Sequence, residues 1–268
     1  MYCLCVIMST TGVQITLLKN YSEGIVMKQK YGLQLYSVRD AIKVDFEGTI
    51  RKVAEMGYSY VEFAGFFGRT AEQVKALLDE CGIGVCGSHS SIDGLKPENI
   101  EETIKFHKAI GNVNYILPSI PCDTEERLEE SISIINAAQP VLEDAGIKLS
   151  FHNHSKEFEP TLWGTTVHSQ LEFRTDINFQ IDTFWAWKAK TDPVQVLARL
   201  GNRLSTIHLK DGFGDGKGMP LGDGEAPVAA VREKAVDMGL TMVVESETLT
   251  PSGLAEAQRC IDYLRSLE

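Results

Sequence analysis

Four short strand-like runs end in residues that can bind a metal ion: Phe151-His152-Asn153-His154, Gln180-Ile181-Asp182, Ile207-His208-Leu209-Lys210 and Val243-Val244-Glu245. The candidate ligands follow one another at intervals of 30, 26 and 37 residues, about the length of one strand–helix–strand unit. Strands built from such units are parallel, so their carboxyl ends meet at one edge of the sheet. The runs therefore predict an α/β fold in which His152, Asp182, His208 and Glu245 form a cation site.

The same alternation extends over most of the chain. A helical pattern, a Gly and a short apolar strand recur, as in Asp144-Ala145-Gly146 before Leu149-Ser150-Phe151, and Gly suits the left-handed position just past a helix end. The predicted strands lie at about 31–36, 59–63, 84–89, 113–118, 147–152, 177–182, 204–208 and 241–245. Helices are predicted between them, among them 127–143 and a closing helix at 253–267. Eight such units predict a single-domain (β/α)8 TIM barrel.

Composition narrows the function classes. The chain has 268 residues, is 43% hydrophobic and carries a formal net charge of −11. That charge opposes binding to a phosphate backbone, so no nucleic-acid partner is expected. No stretch approaches the roughly 18 uninterrupted apolar residues of a membrane span. The six cysteines include no CxxC motif and indicate reduced thiols, so we expect a cytoplasmic protein.

The first 27 residues fit no barrel element. We expect an N-terminal extension over 1–27 and the barrel over 28–268. The apolar run 2–8 lacks the basic start and the small-residue cleavage site of a secretory signal. It is either an appended strand or part of an over-extended start of translation, with Met27 as the initiator.

Each candidate ligand also has a structural explanation. Asp182 could simply cap the following helix, and the two interpretations are about even for that residue alone. His208 and Lys210 lie two residues apart on one strand, so their side chains point to the same side and could face one cavity. Lys210 would stabilise negative charge that develops there. Glu245 could be a salt-bridged strand terminus, and Glu247 offers a second carboxylate on the same side.

The fifth predicted strand adds two imidazoles. His152 and His154 lie two residues apart and face the same way while the strand stays extended. Imidazole and carboxylate together suit Mn²⁺, Zn²⁺, Co²⁺ or Fe²⁺ better than Ca²⁺, which prefers oxygen ligands. The four strand ends thus indicate a borderline divalent ion, with Mg²⁺ as a further option.

The strand ends resemble those of the sugar phosphate isomerase/epimerase family, the xylose isomerase-like TIM barrels. The similar motifs are Gln-Leu-Tyr-Ser-Val-Arg-Asp (34–40), His-Asn-His (152–154) followed by Glu157-Phe158, Ile-Asp-Thr (181–183), His-Leu-Lys-Asp (208–211), Pro-Leu-Gly-Asp-Gly-Glu (220–225) and Val-Val-Glu (243–245). The resemblance covers residues 31 to 267. It is specific for the superfamily and unspecific for the substrate.

The resemblance implies a divalent ion, most often Mn²⁺, held by His152, Asp182, His208 and Glu245. The chain departs from the family at the fifth strand, where His152 stands in the place of the usual Glu. The resemblance therefore leaves Glu157, five residues further on, as an acid/base or as an alternative ligand. The strand-end position of His152 favours it as the ligand, because a strand fixes geometry better than a loop does.

Further strand-mouth residues are expected to contact a substrate. They are Gln34, Tyr36, Glu62, His89, Trp185 and Lys188. Aromatic faces and hydrogen-bonding groups suit polyols, although Tyr36 and Trp185 could equally serve ordinary packing. His107 and His168 lie in helix-like segments, and we assign them no role.

These features predict a metal-dependent isomerase or epimerase of a sugar, keto-sugar or polyol derivative. Glu245 or Glu157 would remove a proton next to a carbonyl to give a metal-stabilised enediolate, with Lys210 and His154 supporting the oxyanion or relaying protons. The alternative is a lyase on the same site, either a dehydratase or an enzyme that eliminates from 3-keto-glycosides. Endonuclease IV-like chemistry and a non-catalytic sugar-binding barrel are less favoured. The expected partner is a small carbohydrate, and a homo-oligomer is an open alternative to a monomer.

Overall fold

The computed structural model describes residues 29–268 and the backbone of two short strands, Val6–Ser9 and Gly12–Ile15. These two strands pair antiparallel in a sheet of their own. The predicted extension over 1–27 and the choice between Met1 and Met27 as the start concern residues that lie largely outside the described part of the chain. Both stay predictions.

Within residues 29–268, eight parallel strands form a closed barrel in the order in which they occur along the chain. They are β1 (Tyr31–Gln34), β2 (Tyr60–Phe63), β3 (Gly84–His89), β4 (Asn114–Leu117), β5 (Lys148–His152), β6 (Asn178–Asp182), β7 (Leu204–Leu209) and β8 (Met242–Val244). The barrel closes where β8 pairs with β1. The predicted (β/α)8 fold is confirmed.

Helices follow the strands and cover the outside of the barrel. They are α1 (Phe46–Glu55), α2 (Ala71–Cys81), α3 (Ile100–Ala109), α4 (Glu125–Asp144), α5 (Val167–Arg174), α6 (Thr183–Lys188), α7 (Pro193–Leu200), α8 (Val228–Asp237) and α9 (Gly253–Ser266). Short 3₁₀ turns lie at Leu35–Val38, Ile92–Leu95, Lys156–Phe158 and Gly201–Arg203, a single helical turn at Arg39–Ile42, and a small hairpin at Asp211–Gly212 and Gly218–Met219. Among the described residues, none of these helices has both the length and the hydropathy needed to cross a bilayer.

The first strand is shorter than predicted. It was expected to reach residue 36 but ends at Gln34, because the Gln34 side chain accepts a hydrogen bond from the Tyr36 backbone N–H and starts the turn Leu35–Val38. Tyr36 therefore lies on this turn and not on a strand. The apolar run continued past the strand because the turn buries Leu35 and Val38 as well.

Alternate residues of each strand face opposite sides of the sheet. On β6, Phe179 and Ile181 pack into the apolar core between strands and helices. Their neighbour Gln180 reaches across the barrel to Glu62 of β2. The interior near the carboxyl ends of the strands is thus a polar layer, and this layer carries the candidate site.

A buried histidine on the outer layer makes stability depend on pH. His168 of α5 stacks between Phe158 and Phe179, at ring-centroid distances of 4.4 and 4.8 Å. Burial lowers its pKa to about 3, with Arg199 and Arg203 adding to the effect. The ring is neutral in the fold but takes up a proton below about pH 6.5 when the chain unfolds, so stability is lost as the pH falls.

We expect His168→Phe to flatten this dependence, because phenylalanine keeps the stacking and cannot take up a proton. The slope of unfolding free energy against pH should fall by about 1.4 kcal/mol per pH unit between roughly pH 6 and pH 4. Urea denaturation at several pH values measures both slopes. Burial also lowers the pKa of His107 to about 4, and this residue contributes equally to the slope in both proteins. Equal slopes in the wild type and His168→Phe would contradict the conclusion that His168 causes this pH dependence.

Candidate metal centre and active site

Four strand ends bring four candidate ligands together. In the parallel register Asp182 pairs with His208, and His208 pairs in turn with Val243 two residues before Glu245. One ligand atom from each of His152, Asp182, His208 and Glu245 lies within 4.8 Å of all the others, and all four residues are buried. The barrel thus brings together residues that are far apart in sequence, at the carboxyl ends of neighbouring strands.

Asp182 caps a helix with one carboxylate oxygen and keeps the other oxygen without a partner. Its Oδ1 accepts a hydrogen bond of 2.9 Å from the Trp185 backbone N–H and caps α6. Its Oδ2 is buried and, among the described residues, has no hydrogen-bond partner. Burial raises the pKa of this carboxyl to about 7, although the nearby charge of Lys210 opposes the shift. A buried carboxylate oxygen without a partner is costly, and a cation would satisfy it.

His208 bridges two carboxylates. Its Nε2 lies 2.7 Å from Glu62 Oε1 and its Nδ1 lies 3.2 Å from Glu245 Oε2. Burial alone would lower the pKa of His208, but the charge of Glu62 and the bonds to both carboxylates raise it to about 10. Burial likewise opposes ionisation of Glu62, yet His208 and His89 hold the pKa of this carboxyl well below its usual range.

The donor set fits a divalent ion. Two imidazoles and two carboxylates suit Mn²⁺, Zn²⁺, Co²⁺ or Fe²⁺. The unpartnered Oδ2 of Asp182 lies among them. A second group of candidate ligands shares two of the imidazoles and consists of His89, His152 and His208.

Gln34 and Glu62 lie beneath the histidines. Gln34 Nε2 donates to Glu62 Oε1 at 2.7 Å, and Gln34 Oε1 accepts from the Tyr36 backbone. Both side chains are fully buried, and neither lines the cavity described below. We predicted that they contact substrate, but their polar atoms are already engaged, so the structure gives them a supporting position instead.

Lys210 is buried beside the same carboxylates. Its Nζ lies 3.4 Å from Glu245 Oε2 and 2.5 Å from Glu247 Oε2, and 4.8 Å from the ring centroid of Trp185. Burial alone would lower the pKa of Lys210, but Glu245, Asp182 and Glu247 raise it above its usual range. The ammonium group therefore keeps its positive charge at the edge of the candidate metal centre.

A cavity of about 1240 Å³ opens over the cluster. The predicted site residues that line it are Tyr36, His89, His152, His154, Glu157 and Glu245. Glu157 is 1% exposed, and its Oε2 accepts a 2.8 Å hydrogen bond from the His154 backbone N–H. Burial is the main cause that lowers the pKa of His154, and the charge of Glu157 partly offsets it. A proton-accepting imidazole and a carboxylate thus share one wall of the cavity.

Three predicted substrate contacts lie further out. Tyr36 is 45% exposed at the cavity and packs under the Arg39 guanidinium, 4.2 Å from the ring centroid. Trp185 covers Lys210. Lys188, at the end of α6, lines a separate cavity of about 690 Å³ and not the large one. This placement does not favour the predicted substrate contact of Lys188.

Sequence reasoning missed three residues of the polar layer. Gln180 bonds Glu62, Thr206 and two histidines, and Thr206 Oγ1 accepts from Gln180 Nε2 at 2.8 Å. Asn153 bonds both the backbone N–H and the carbonyl of Asp182. Gln180 and Thr206 each lie two residues before a predicted ligand on the same strand. Side chains two residues apart point to the same face, so the sequence could have placed both residues inside the barrel.

We expect Asp182→Asn to abolish metal binding without destabilising the metal-free protein. The asparagine side chain keeps the cap on α6 and removes a buried, unpartnered charge, so the free energy of unfolding of the metal-free variant should equal or exceed that of the wild type. Mn²⁺ at a hundredfold excess over its Kd should raise the wild-type Tm by about 5 to 10 °C and leave the variant unchanged. Thermal unfolding with chelator and with Mn²⁺ measures both. A variant that retains the full shift would exclude Asp182 as a ligand.

Comparisons with known proteins agree with this fold. A solved sugar phosphate isomerase/epimerase from Parabacteroides distasonis ATCC 8503 is 24% identical, with a TM-score of 0.75 over 91% of this chain and 96% of that one. A probable 3-DHS dehydratase from Bacillus anthracis is 12% identical, with a TM-score of 0.70 over 88% and 99%. The inosose dehydratase of Geobacillus kaustophilus (strain HTA426) is 20% identical over 186 residues, which span 60% of each protein. A family model matches residues 50–267, and the chain belongs to the xylose isomerase-like TIM barrel family.

Proposed function

We propose that this protein is a divalent-metal-dependent isomerase or epimerase of a sugar, keto-sugar or polyol derivative. The observation that carries the proposal is the group of four ligand atoms within 4.8 Å, beneath a cavity whose wall holds Glu157 and His154. Membership of an enzyme family and the isomerase/epimerase from Parabacteroides distasonis support it. The donor set and the proton-accepting groups match the two needs of proton transfer next to a carbonyl.

The metal would be held by His152, Asp182, His208 and Glu245. When bound, a divalent ion supplies a Lewis acid that polarises a substrate carbonyl and makes the neighbouring C–H more acidic. Mn²⁺ is the ion we favour, because ions of this family are most often Mn²⁺, and Zn²⁺, Co²⁺, Fe²⁺ or Mg²⁺ are the alternatives. His152 is preferred over Glu157 as the fifth-strand ligand, because only His152 lies in the cluster of four.

Proton transfer is assigned to residues of the cavity wall. Glu157 Oε2 is engaged by the His154 backbone, and Oε1, which lies 3.7 Å from Lys156 Nζ, would take the proton from a substrate carbon. Glu245 is the second candidate base, since it also faces the cavity. The charged Lys210, next to Glu245, would stabilise the negative charge that develops on the enediolate oxygen, and His154 would relay protons.

A lyase is the second candidate, and the inosose dehydratase relative favours it. Its first step is the same removal of a proton next to the carbonyl. The electron pair of that C–H bond then forms a carbon–carbon double bond, and the β-hydroxyl takes up a proton and leaves as water. Loss of a β-alkoxy group from a 3-keto-glycoside follows the same scheme. His152, which replaces the Glu of the family, changes the groups that handle the proton and is compatible with this outcome.

The two reactions are distinguished by their products. The Mn²⁺-loaded protein would be incubated in D₂O with a panel of keto-sugars, inososes and 3-keto-glycosides. Deuterium in recovered or isomeric sugar, detected by mass spectrometry, indicates isomerisation or epimerisation. A new absorbance of a conjugated carbonyl indicates elimination. Neither signal with any compound, in protein that has bound its metal, would contradict both proposals.

We expect Glu157→Gln to lower turnover by about 10²- to 10⁴-fold, the usual contribution of a general base. Metal content should stay near one equivalent, because the proposed ligands are unchanged. Glu130→Gln is the control, an exposed carboxylate on α4 that does not line the cavity, and should change turnover less than threefold. Loss of the metal from Glu157→Gln would instead identify Glu157 as the ligand and contradict its assignment as a base.

A further inference from the structure

We propose that Glu62 is a positioning residue that selects which ring nitrogen of His152 and His208 faces the metal. The inference rests on the metal centre of the proposed function. Glu62 is fully buried on β2, opposite the strands that carry the ligands. Its carboxylate can only accept hydrogen bonds, and it receives them from Gln34, Gln180, His89 and His208.

The first consequence is the orientation of one amide. Gln180 Nε2 lies 2.6 Å from Glu62 Oε2 and 2.8 Å from Thr206 Oγ1. The reverse orientation of this amide would place two acceptor oxygens 2.6 Å apart. Glu62 therefore directs the NH₂ group of Gln180 toward itself and the carbonyl oxygen Oε1 toward the histidines.

The second consequence is the tautomer of His152. Its Nδ1 lies 3.0 Å from Gln180 Oε1, which can only accept a hydrogen bond, so Nδ1 carries the proton. The lone pair of the neutral ring is then on Nε2. His152 thus offers Nε2 to a cation without losing its bond to Gln180, and the amide holds the ring in place as supporting groups do in other metal sites.

The third consequence is the choice between the two groups of candidate ligands. His208 donates its Nε2 hydrogen to Glu62, and its Nδ1 faces Glu245, which is itself a candidate ligand. A cation bound at Nδ1 would displace the proton that Nδ1 shares with Glu245, which gives a carboxylate–histidine–metal unit with Glu62. His89 Nε2 faces two acceptors, Gln180 Oε1 at 2.8 Å and Glu62 Oε1 at 3.1 Å, so it carries a proton and offers no lone pair there. Glu62 thereby disfavours the group that contains His89 and favours the one that contains Asp182.

The test compares Mn²⁺ affinity in the wild type, in E62Q and in the double variant E62Q/Q180E, by competition with a fluorescent chelator. E62Q removes the obligate acceptor, so Gln180 loses its fixed orientation and Mn²⁺ should bind about 10- to 100-fold more weakly. The double variant moves the carboxylate to position 180, where it accepts directly from His89 and His152. It should restore binding to within about threefold of the wild type, which recovery of packing alone would not explain.

A second measurement reads the tautomer of His152 in the wild-type protein itself. In ¹⁵N-histidine-labelled wild-type protein without metal, the NMR signals of His152 should show a proton on Nδ1 and none on Nε2, with assignment from a His152→Gln sample. A proton on Nε2, or E62Q that binds Mn²⁺ within threefold of the wild type, would overturn the role of Glu62 alone. A wild-type protein that binds no Mn²⁺ would overturn the proposed metal centre itself.

Discussion

The charge of Glu62, buried inside the barrel, constrains the polar layer around it. Donors from four other strands, on Gln34, His89, Gln180 and His208, converge on this one carboxylate. Removing one partner from a buried charged pair costs about 3–5 kcal/mol, because the other charge is left unpaired. Loss of the Glu62 charge would therefore disturb all four side chains together, including the two histidines that donate to it.

The barrel then places reactive groups above this layer. Closure of β8 onto β1 brings the ends of the last four strands to one rim, and strand parity directs His152, Asp182 and His208 inward. Negative charge on Glu245 is balanced by Lys210 and His208. Of the four candidate ligands, only Asp182 keeps a buried side-chain oxygen that has no hydrogen-bond partner within the described residues, and this oxygen lies at the cluster itself.

Local patterns predicted the barrel and the cluster, but not the support beneath it. The helix–Gly–strand repeat and the polar residues at the strand ends depend only on neighbouring positions, so both could be inferred. Glu62 lies 146 residues from His208, and only closure of the barrel makes them neighbours. Glu62 and Gln34 were therefore assigned to substrate binding. Tyr36 was placed on a strand because the sequence pattern did not reveal the side-chain bond from Gln34 that ends it.

The central claim is that one divalent ion is bound by His152, Asp182, His208 and Glu245. Anomalous diffraction from crystals soaked in Mn²⁺ tests it most directly. The account predicts one strong peak in contact with His152 Nε2, Asp182 Oδ2, His208 Nδ1 and a Glu245 carboxylate oxygen. A peak held by His89 in place of Asp182, or no peak in the barrel at saturating Mn²⁺, would contradict it.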